Sequence, residues 1–178
     1  MTQLDWYASI PSARTVWRAL RARVFDRADY AHPEIVTATV GLLPAHHRQL
    51  NALGQIAALI GCKAARPEWR VAADVLVRAT RDIQGLIARI DHRVHDALGD
   101  QALDSSHACP QPHGLGAMLS RHTRYWASEV TADRDFRPSS DAANTLIEQA
   151  AAYNRLAARI VTGPANIPWA TRCGGSVL

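Results

Sequence analysis

The chain has 178 residues, the length of one domain, and can bury about two-thirds of its unfolded surface without a disulfide or a metal. Hydrophobic residues make up 48% of it, close to the globular average, which argues against wholesale disorder. No run of about 18 apolar residues occurs, so no membrane-spanning helix is expected. The net charge of +4 and the pI near 9.3 permit an acidic partner without requiring one.

The cysteines indicate a reducing compartment. There are three, at Cys62, Cys109 and Cys173, and no two of them form a C-x-x-C pair. An odd number at wide spacing argues against a disulfide framework. The segment Met1 to Tyr7 is not a charged stretch followed by an apolar core, so no secretory signal is expected. These features together predict a cytoplasmic protein.

Helical periodicity dominates the chain, and strand signals are nearly absent. Apolar residues recur at spacings of three and four in five places, separated by loops short enough for neighbouring helices to run antiparallel. The sequence therefore predicts an all-α fold, an antiparallel helical bundle of four to five main helices. Residues 1–178 are interpreted as one domain with a core at about 10–162 and an irregular, partly mobile tail at 163–178.

The first two helical regions are bounded by prolines. The first helix is predicted from about Pro11 to Ala28, with Ser9 as its cap. The second region runs from Pro33 to Cys62. Because Pro44 lies inside it, a break or kink is expected there, with a short helix before the proline and a longer one from Ala45 to Ile60.

The other three helices follow after polar or glycine-containing segments. The third is predicted from Pro67 to Leu98 and is the longest, with Gly85 as a point where it could bend. The fourth is expected from about Leu115 to Val130 and the fifth from about Asp141 to Val161. The third helix exceeds its partners in length, so part of its apolar stripe is expected to overhang the bundle.

Three arginines lie on one side of the first helix. Arg14, Arg18 and Arg21 are four and three residues apart, and no acidic residue occurs from Ala8 to Phe25. Guanidinium groups in a row can hold phosphates through charge-assisted hydrogen bonds, which indicates a nucleic-acid contact. The alternative is a solvated helix face whose arginine stems cover the edge of the core.

Two histidines fall on apolar stripes. His46 lies four residues before Leu50, and His122 lies four residues before Trp126. If their helices are neighbours, the imidazoles and Trp126 could line a ligand pocket inside the bundle. The alternative is two separate histidines, each satisfied by its own hydrogen-bond partner.

A second histidine pair lies near the end of the third helix. His92 and His95 are three residues apart and could chelate a metal, with Asp91 and Asp96 as neighbouring carboxylates. The alternative is two exposed ion pairs, Asp91 with His95 and His92 with Asp96. A di-iron bundle is disfavoured because no E-x-x-H motif occurs and only four glutamates are present.

A loop carries one more metal-like cluster. His107, Cys109 and His113 are residue types that suit zinc, but zinc sites usually show two tight ligand pairs and only one compact cluster occurs here. No phosphate-binding glycine loop, nucleophile elbow or dinucleotide fingerprint is present. No cofactor is therefore predicted, and no catalytic residue is assigned.

These observations favour a non-enzymatic helical interaction module. It is expected to self-associate, with a dimer favoured, and to bind a protein partner and nucleic-acid phosphates through Arg14, Arg18 and Arg21. The alternative is a bundle enzyme or a ligand or metal binder with its pocket near His46, His122 and Trp126.

Overall fold

The computed structural model of the chain describes residues 10–22, 32–62, 66–98, 114–129 and 140–162, and in these ranges it contains five helices and no strand. The helices are α1 (Ala13–Ala22), α2 (Pro33–Cys62), α3 (Arg66–Leu98), α4 (Leu115–Glu129) and α5 (Ser140–Thr162). They pack against one another as a helical bundle, which confirms the predicted all-α fold class. No helix in the described ranges is long and apolar enough to cross a membrane.

The second helix is continuous through its internal proline, so the predicted break at Pro44 is wrong. A proline costs one backbone hydrogen bond and its ring crowds the preceding turn. Pro44 itself is exposed, whereas Leu42, Ala45 and His46 around it are buried. We infer that burial on both sides of the proline offsets its local cost, because packing routinely overrides propensity.

Helices α2 and α3 form a long antiparallel hairpin, which is the backbone of the fold. Arg48 forms an ion pair with Asp82 at 2.9 Å, and Gln49 donates to Thr80 Oγ1 at 3.3 Å. As the residue number rises along α2 it falls along α3, so the two helices run in opposite directions. The helices have 30 and 33 residues, which is longer than any of the other three.

Helix α4 packs on one side of this hairpin, which we call the front. Its first turn lies so close to α3 that a Cβ on Gly116 would stand 2.6 Å from the carbonyl oxygen of Ile87. Asp91 Oδ1 accepts a hydrogen bond from the Gly116 N–H at 2.7 Å. Asp91 therefore caps α4 from a neighbouring helix and satisfies one of its free N–H groups.

Helix α1 is held at its first turn. The predicted helix start at Pro11 is two residues early, because Ser12 is the cap and its Oγ accepts from the Thr15 N–H at 3.2 Å. Asn154 Oδ1 on α5 accepts from the Ala13 N–H at 2.9 Å, and the Tyr153 hydroxyl donates to the Pro11 carbonyl at 2.6 Å. Ser9, and the part of the predicted first helix after Ala22, lie outside the described residues, as does the predicted tail at 163–178.

All five helices contribute to the apolar core. The part of α2 before Pro44 has no obvious partner in the sequence, yet Ile35, Val36 and Leu42 are among the most buried side chains. The largest fully buried side chains are Ile10, Val16, Leu20, Ile35, Val36, Thr39, Leu42, Ile90, Leu115, Leu119 and Thr123. The first half of the hairpin is therefore inside the bundle, and only its far end overhangs.

Candidate functional site

A cluster of aromatic side chains joins α1 to α4. The indole N–H of Trp17 donates a hydrogen bond to Nε2 of His122, and the two rings are inclined by 13° with their centroids 5.5 Å apart. Trp126 lies one turn further along α4, with its ring centroid 6.4 Å from that of Trp17. The structure thus brings His122 and Trp126 together around Trp17. Helical spacing places Trp17 on the same stripe as Leu20, but the spacing alone does not assign it to a site.

Burial keeps the His122 imidazole neutral. Desolvation lowers its pKa from 6.5 to about 4, and the nearby Gln149 side chain on α5 opposes this shift. Because Nε2 accepts the Trp17 hydrogen bond, the proton of the neutral ring resides on Nδ1. His122 Nδ1 and Gln149 Oε1 are both buried, and neither has a partner within hydrogen-bond distance among the described residues, so this donor and this acceptor are complementary but not in close contact.

His46 has its own surroundings. Its Nε2 lies 3.0 Å from Ser120 Oγ, and both side chains are buried. The pKa of His46 is lowered, mainly because burial penalises the charged imidazole, although the nearby Gln49 side chain opposes this shift. Ser120 and His122 are two positions apart on α4 and project to nearly opposite sides of it. In the described residues no hydrogen bond or ring contact joins His46 to His122.

The residues near the end of α3 separate into two groups. Asp91 bonds to Gly116, not to His95, and burial raises the pKa of this carboxyl above its usual value. His92 and His95 are exposed, and His92 lies 3.6 Å from Asp96, as one of the predicted ion pairs requires. Within the described ranges no three His, Cys, Asp or Glu residues are arranged to hold a metal ion. The loop cluster of His107, Cys109 and His113 lies outside these ranges.

The arginine row on α1 faces solvent. Arg14, Arg18 and Arg21 are exposed, and none of them has a hydrogen-bond or ion-pair partner among the described residues. Buried residues of α1 such as Val16 and Leu20 lie on the opposite side. No described residue therefore occupies the three guanidinium groups, and such groups form charge-assisted hydrogen bonds with anions.

The far end of the α2–α3 hairpin, residues 50–62 and 67–80, projects beyond the helices that cover the rest of it. We call it the hairpin end. The α2 stripe that carries His46 against α4 continues at spacings of four and three. Along that stripe the exposed fraction rises from 3% at His46 to 41% at Leu53 and 62% at Ile60. The cover supplied by α4 therefore runs out along the hairpin.

On the corresponding stripe of α3, Thr80 and Ala73 are exposed, whereas Leu76 and Trp69 are half-buried. The stripe that carries Ile87 and Asp91 against α4 continues towards the hairpin end as Thr80, Leu76, Ala73 and Trp69. Five large apolar side chains are exposed in the described ranges, and four of them lie on the hairpin end: Leu53, Ile60, Val71 and Val77. The fifth is Ile147 on α5. The lengths of the helices predict an overhang, but which residues it exposes depends on where α4 ends.

Comparisons with known proteins add no family to this description. No protein-family model matches the chain, and neither a curated protein nor a solved structure is significantly similar to it.

Proposed function

We propose that this protein is a non-enzymatic helical interaction module that associates with itself through the hairpin end. The observation that carries the proposal is the concentration of exposed apolar side chains there. Monomeric proteins rarely leave contiguous apolar patches larger than a few hundred Å² uncovered, and such patches usually mark interaction sites. Self-association in a closed two-fold dimer is the commonest way to cover one.

The alternative of a ligand pocket near His46, His122 and Trp126 has less support. Nε2 of His122 is occupied by Trp17, and Nε2 of His46 lies against Ser120. The two imidazoles lie on opposite sides of α4, so they do not converge on one ligand atom. What the cluster supplies is a polar connection between α1 and the core.

The first prediction concerns the hairpin end. Native protein is expected to show a mass that rises from 19.5 kDa towards twice that value as its concentration increases in sedimentation equilibrium. The double variant Leu53→Gln, Ile60→Gln should weaken self-association at least about 100-fold, because four apolar side chains per dimer lose their burial. Ile147→Gln is the matched control, since Ile147 is 59% exposed but lies on α5.

Two outcomes would contradict this proposal. If native protein has a mass of 19.5 kDa at every concentration, no second copy of the chain covers the hairpin end. An equal loss in Ile147→Gln would show that general surface apolarity, and not this surface, drives association. Circular dichroism of each variant checks that the helices remain folded.

We propose a second function for the arginine row, the binding of nucleic-acid phosphates, because its three guanidinium groups are exposed and unpaired in the described part of the chain. Affinity for a short duplex should fall steeply with salt, since each neutralised phosphate releases counterions. Changing Arg14, Arg18 and Arg21 to Gln should weaken binding severely and reduce the slope of log affinity against log salt by up to about 3.

The control for this second prediction removes the same net charge elsewhere. Arg89, Arg121 and Arg155 are exposed and lie on three different helices. Their triple change to Gln should leave most of the affinity in a fluorescence-anisotropy titration. Equal losses in the two triple variants would show that net charge alone attracts the duplex, and no binding by native protein at low salt would end the proposal.

A further inference from the structure

The arginine row lies along the junction between α1 and α4. At about 100° per residue, Arg14 and Arg21 project about 60° and about 40° from Trp17 around the α1 axis, one turn before it and one turn after it. The buried Leu20 projects about 60° to the other side of Trp17. Trp17 therefore lies at the border between the buried face of α1 and the arginine row. Because Trp17 contacts α4, the row borders that helix.

The junction presents indole surface beside these guanidinium groups. Trp17 and Trp126 are both half-buried, so part of each side chain is accessible. The Trp17 ring is stacked on His122 and donates its N–H to Nε2 of that residue. Trp126 is tilted by 39° from Trp17, and among the described residues no aromatic ring is stacked on it. Of the two indoles, Trp126 is therefore the better platform for an external planar group.

The aromatic rings are held in place by the bundle itself. Trp17 bonds to His122, which is buried, and Trp126 packs against the hydrophobic core. A side chain that is already ordered loses little rotamer freedom when a ligand binds to it. The junction is thus organised for stacking before a ligand arrives.

Guanidinium groups beside an indole fit a single nucleic-acid strand better than a duplex. The guanidinium groups can pair with phosphates in either. In a duplex the faces of the bases are covered by neighbouring bases, whereas a single strand can offer them to an aromatic side chain. Arg14 and Arg21 are seven positions apart, so the row is about 10 Å long, the length of about three stacked nucleotides.

An anionic membrane is the other macromolecular surface that attracts arginine and tryptophan side chains. A helix that lies in a membrane interface inserts an apolar face into it. In α1 that face is already used, since Val16, Ala19 and Leu20 are buried in the bundle. The described part of α1 keeps no second apolar face for a bilayer, so the observations favour a nucleic-acid strand.

One carboxylate lies near the stacking surface. Glu129 is half-buried three residues after Trp126, and it forms no ion pair with a described residue. Its repulsion of a phosphate acts against the attraction of three guanidinium groups, and no acidic residue occurs in α1 itself. The local charge at the junction therefore remains positive.

Resting on the proposed binding of phosphates by the arginine row, we propose that its ligand is a single-stranded nucleic acid. Phosphates of the strand pair with Arg14 and Arg21, and a base stacks on the accessible part of the Trp126 ring. The row supplies the attraction that any strand shares, and the indole supplies the preference for unpaired bases.

Fluorescence anisotropy with native protein at low concentration tests the ligand class directly. Three labelled ligands of equal length, about eight nucleotides, are compared: an oligothymidylate, a duplex, and an abasic strand that has phosphates but no bases. Native protein should bind the oligothymidylate at least about fivefold more tightly than either of the other two, because only the oligothymidylate exposes the faces of its bases.

A tryptophan variant locates the stacking surface. Trp126→Leu keeps an apolar side chain against the core and removes the aromatic ring. It should bind the oligothymidylate at least about fivefold more weakly than native protein, with unchanged affinity for the abasic strand and the duplex. Trp69→Leu is the matched control, since Trp69 is also half-buried but lies on the hairpin end, and it should bind all three ligands as native protein does.

The outcomes separate base stacking from phosphate binding. If native protein binds the abasic strand as tightly as the oligothymidylate, stacking is wrong even where Trp126→Leu fails the check of folding by circular dichroism, and phosphate binding stands. If folded Trp126→Leu binds the oligothymidylate like native protein, or if Trp69→Leu loses as much affinity, stacking at Trp126 is wrong. If no nucleic acid binds at low salt, both proposals fail, and binding of phosphatidylserine vesicles in its place would make the row a membrane contact.

Discussion

Between pH 6.5 and pH 4 the free energy of unfolding is expected to fall by about 3 kcal/mol because of His122. Its pKa is lowered from 6.5 to about 4 in the folded protein by burial. Well above pH 6.5 the imidazole is neutral in both states and contributes no pH dependence. Below this pH the unfolded chain takes up the proton first. The free energy of unfolding then falls by about 1.4 kcal/mol for each pH unit until the folded imidazole also titrates.

Two other buried groups modify this profile. The lowered pKa of His46 acts in the same direction, because its unfolded form also binds the proton at higher pH. The raised pKa of Asp91 acts in the opposite direction, since the folded carboxyl binds its proton before the unfolded one and so adds stability as the pH falls through the folded pKa. The contribution of His122 must therefore be isolated by substitution.

His122→Gln provides that isolation, because glutamine is polar but does not titrate. Urea unfolding followed by tryptophan fluorescence at about pH 7.5, 6.5, 5.5 and 4.5, at one fixed low protein concentration, gives both profiles. As the pH is lowered through this range, the free energy of unfolding of native protein should fall by about 3 kcal/mol more than that of the variant. A native profile that falls no more steeply than that of the variant would show that His122 is not buried in the folded state.

Gly116→Ala is expected to destabilise the protein by about 2–3 kcal/mol, within the usual range for overpacking at a close contact. The new Cβ would stand 2.6 Å from the Ile87 carbonyl oxygen and 3.1 Å from Asp91 Oδ1. The first of these atoms belongs to the backbone and cannot rotate away. The α3–α4 contact must therefore open, which also lengthens the hydrogen bond from the Gly116 N–H to Asp91.

Gly85→Ala is the matched control and should have the opposite sign. Gly85 is exposed in the middle of α3, and a Cβ there would meet nothing within 4 Å. Alanine is favoured over glycine by about 1 kcal/mol at an exposed helix interior position, so the variant should be more stable than native protein. If both variants had the same stability in urea, the close approach of α4 to α3 would be wrong.

The sequence by itself determined the helices and most of their faces. Spacings of three and four on apolar residues predict all five helices, because a helix must bury one stripe and its period appears directly in the chain. The stripe through Leu115, Leu119, His122 and Trp126 is a clear case, since its two leucines and His122 are buried as the period requires. The helical stripes also place His46 and Trp17 on inward faces.

Only the tertiary structure decided which partners those faces meet. Pro44 reads locally as a break, yet packing on both sides keeps α2 intact. The spacing of four residues predicts that Asp91 pairs with His95. Asp91 instead accepts a hydrogen bond from the Gly116 N–H, because the first N–H groups of α4 have no partner within their own helix. His46 and His122 both point inward but lie on opposite sides of α4, which periodicity within single helices does not reveal.

The hairpin end shows the same division. Leu50, Leu53, Ala57 and Ile60 form one stripe in the sequence, and nothing in their spacing distinguishes them from a core stripe. Leu53, Ala57 and Ile60 are nevertheless exposed and Leu50 is half-buried, because the neighbouring described helices do not cover this part of the hairpin. Periodicity determines which side chains share a face of a helix. Whether that face is core or binding surface depends on the length and position of the neighbouring helices, which are fixed only when the whole chain packs.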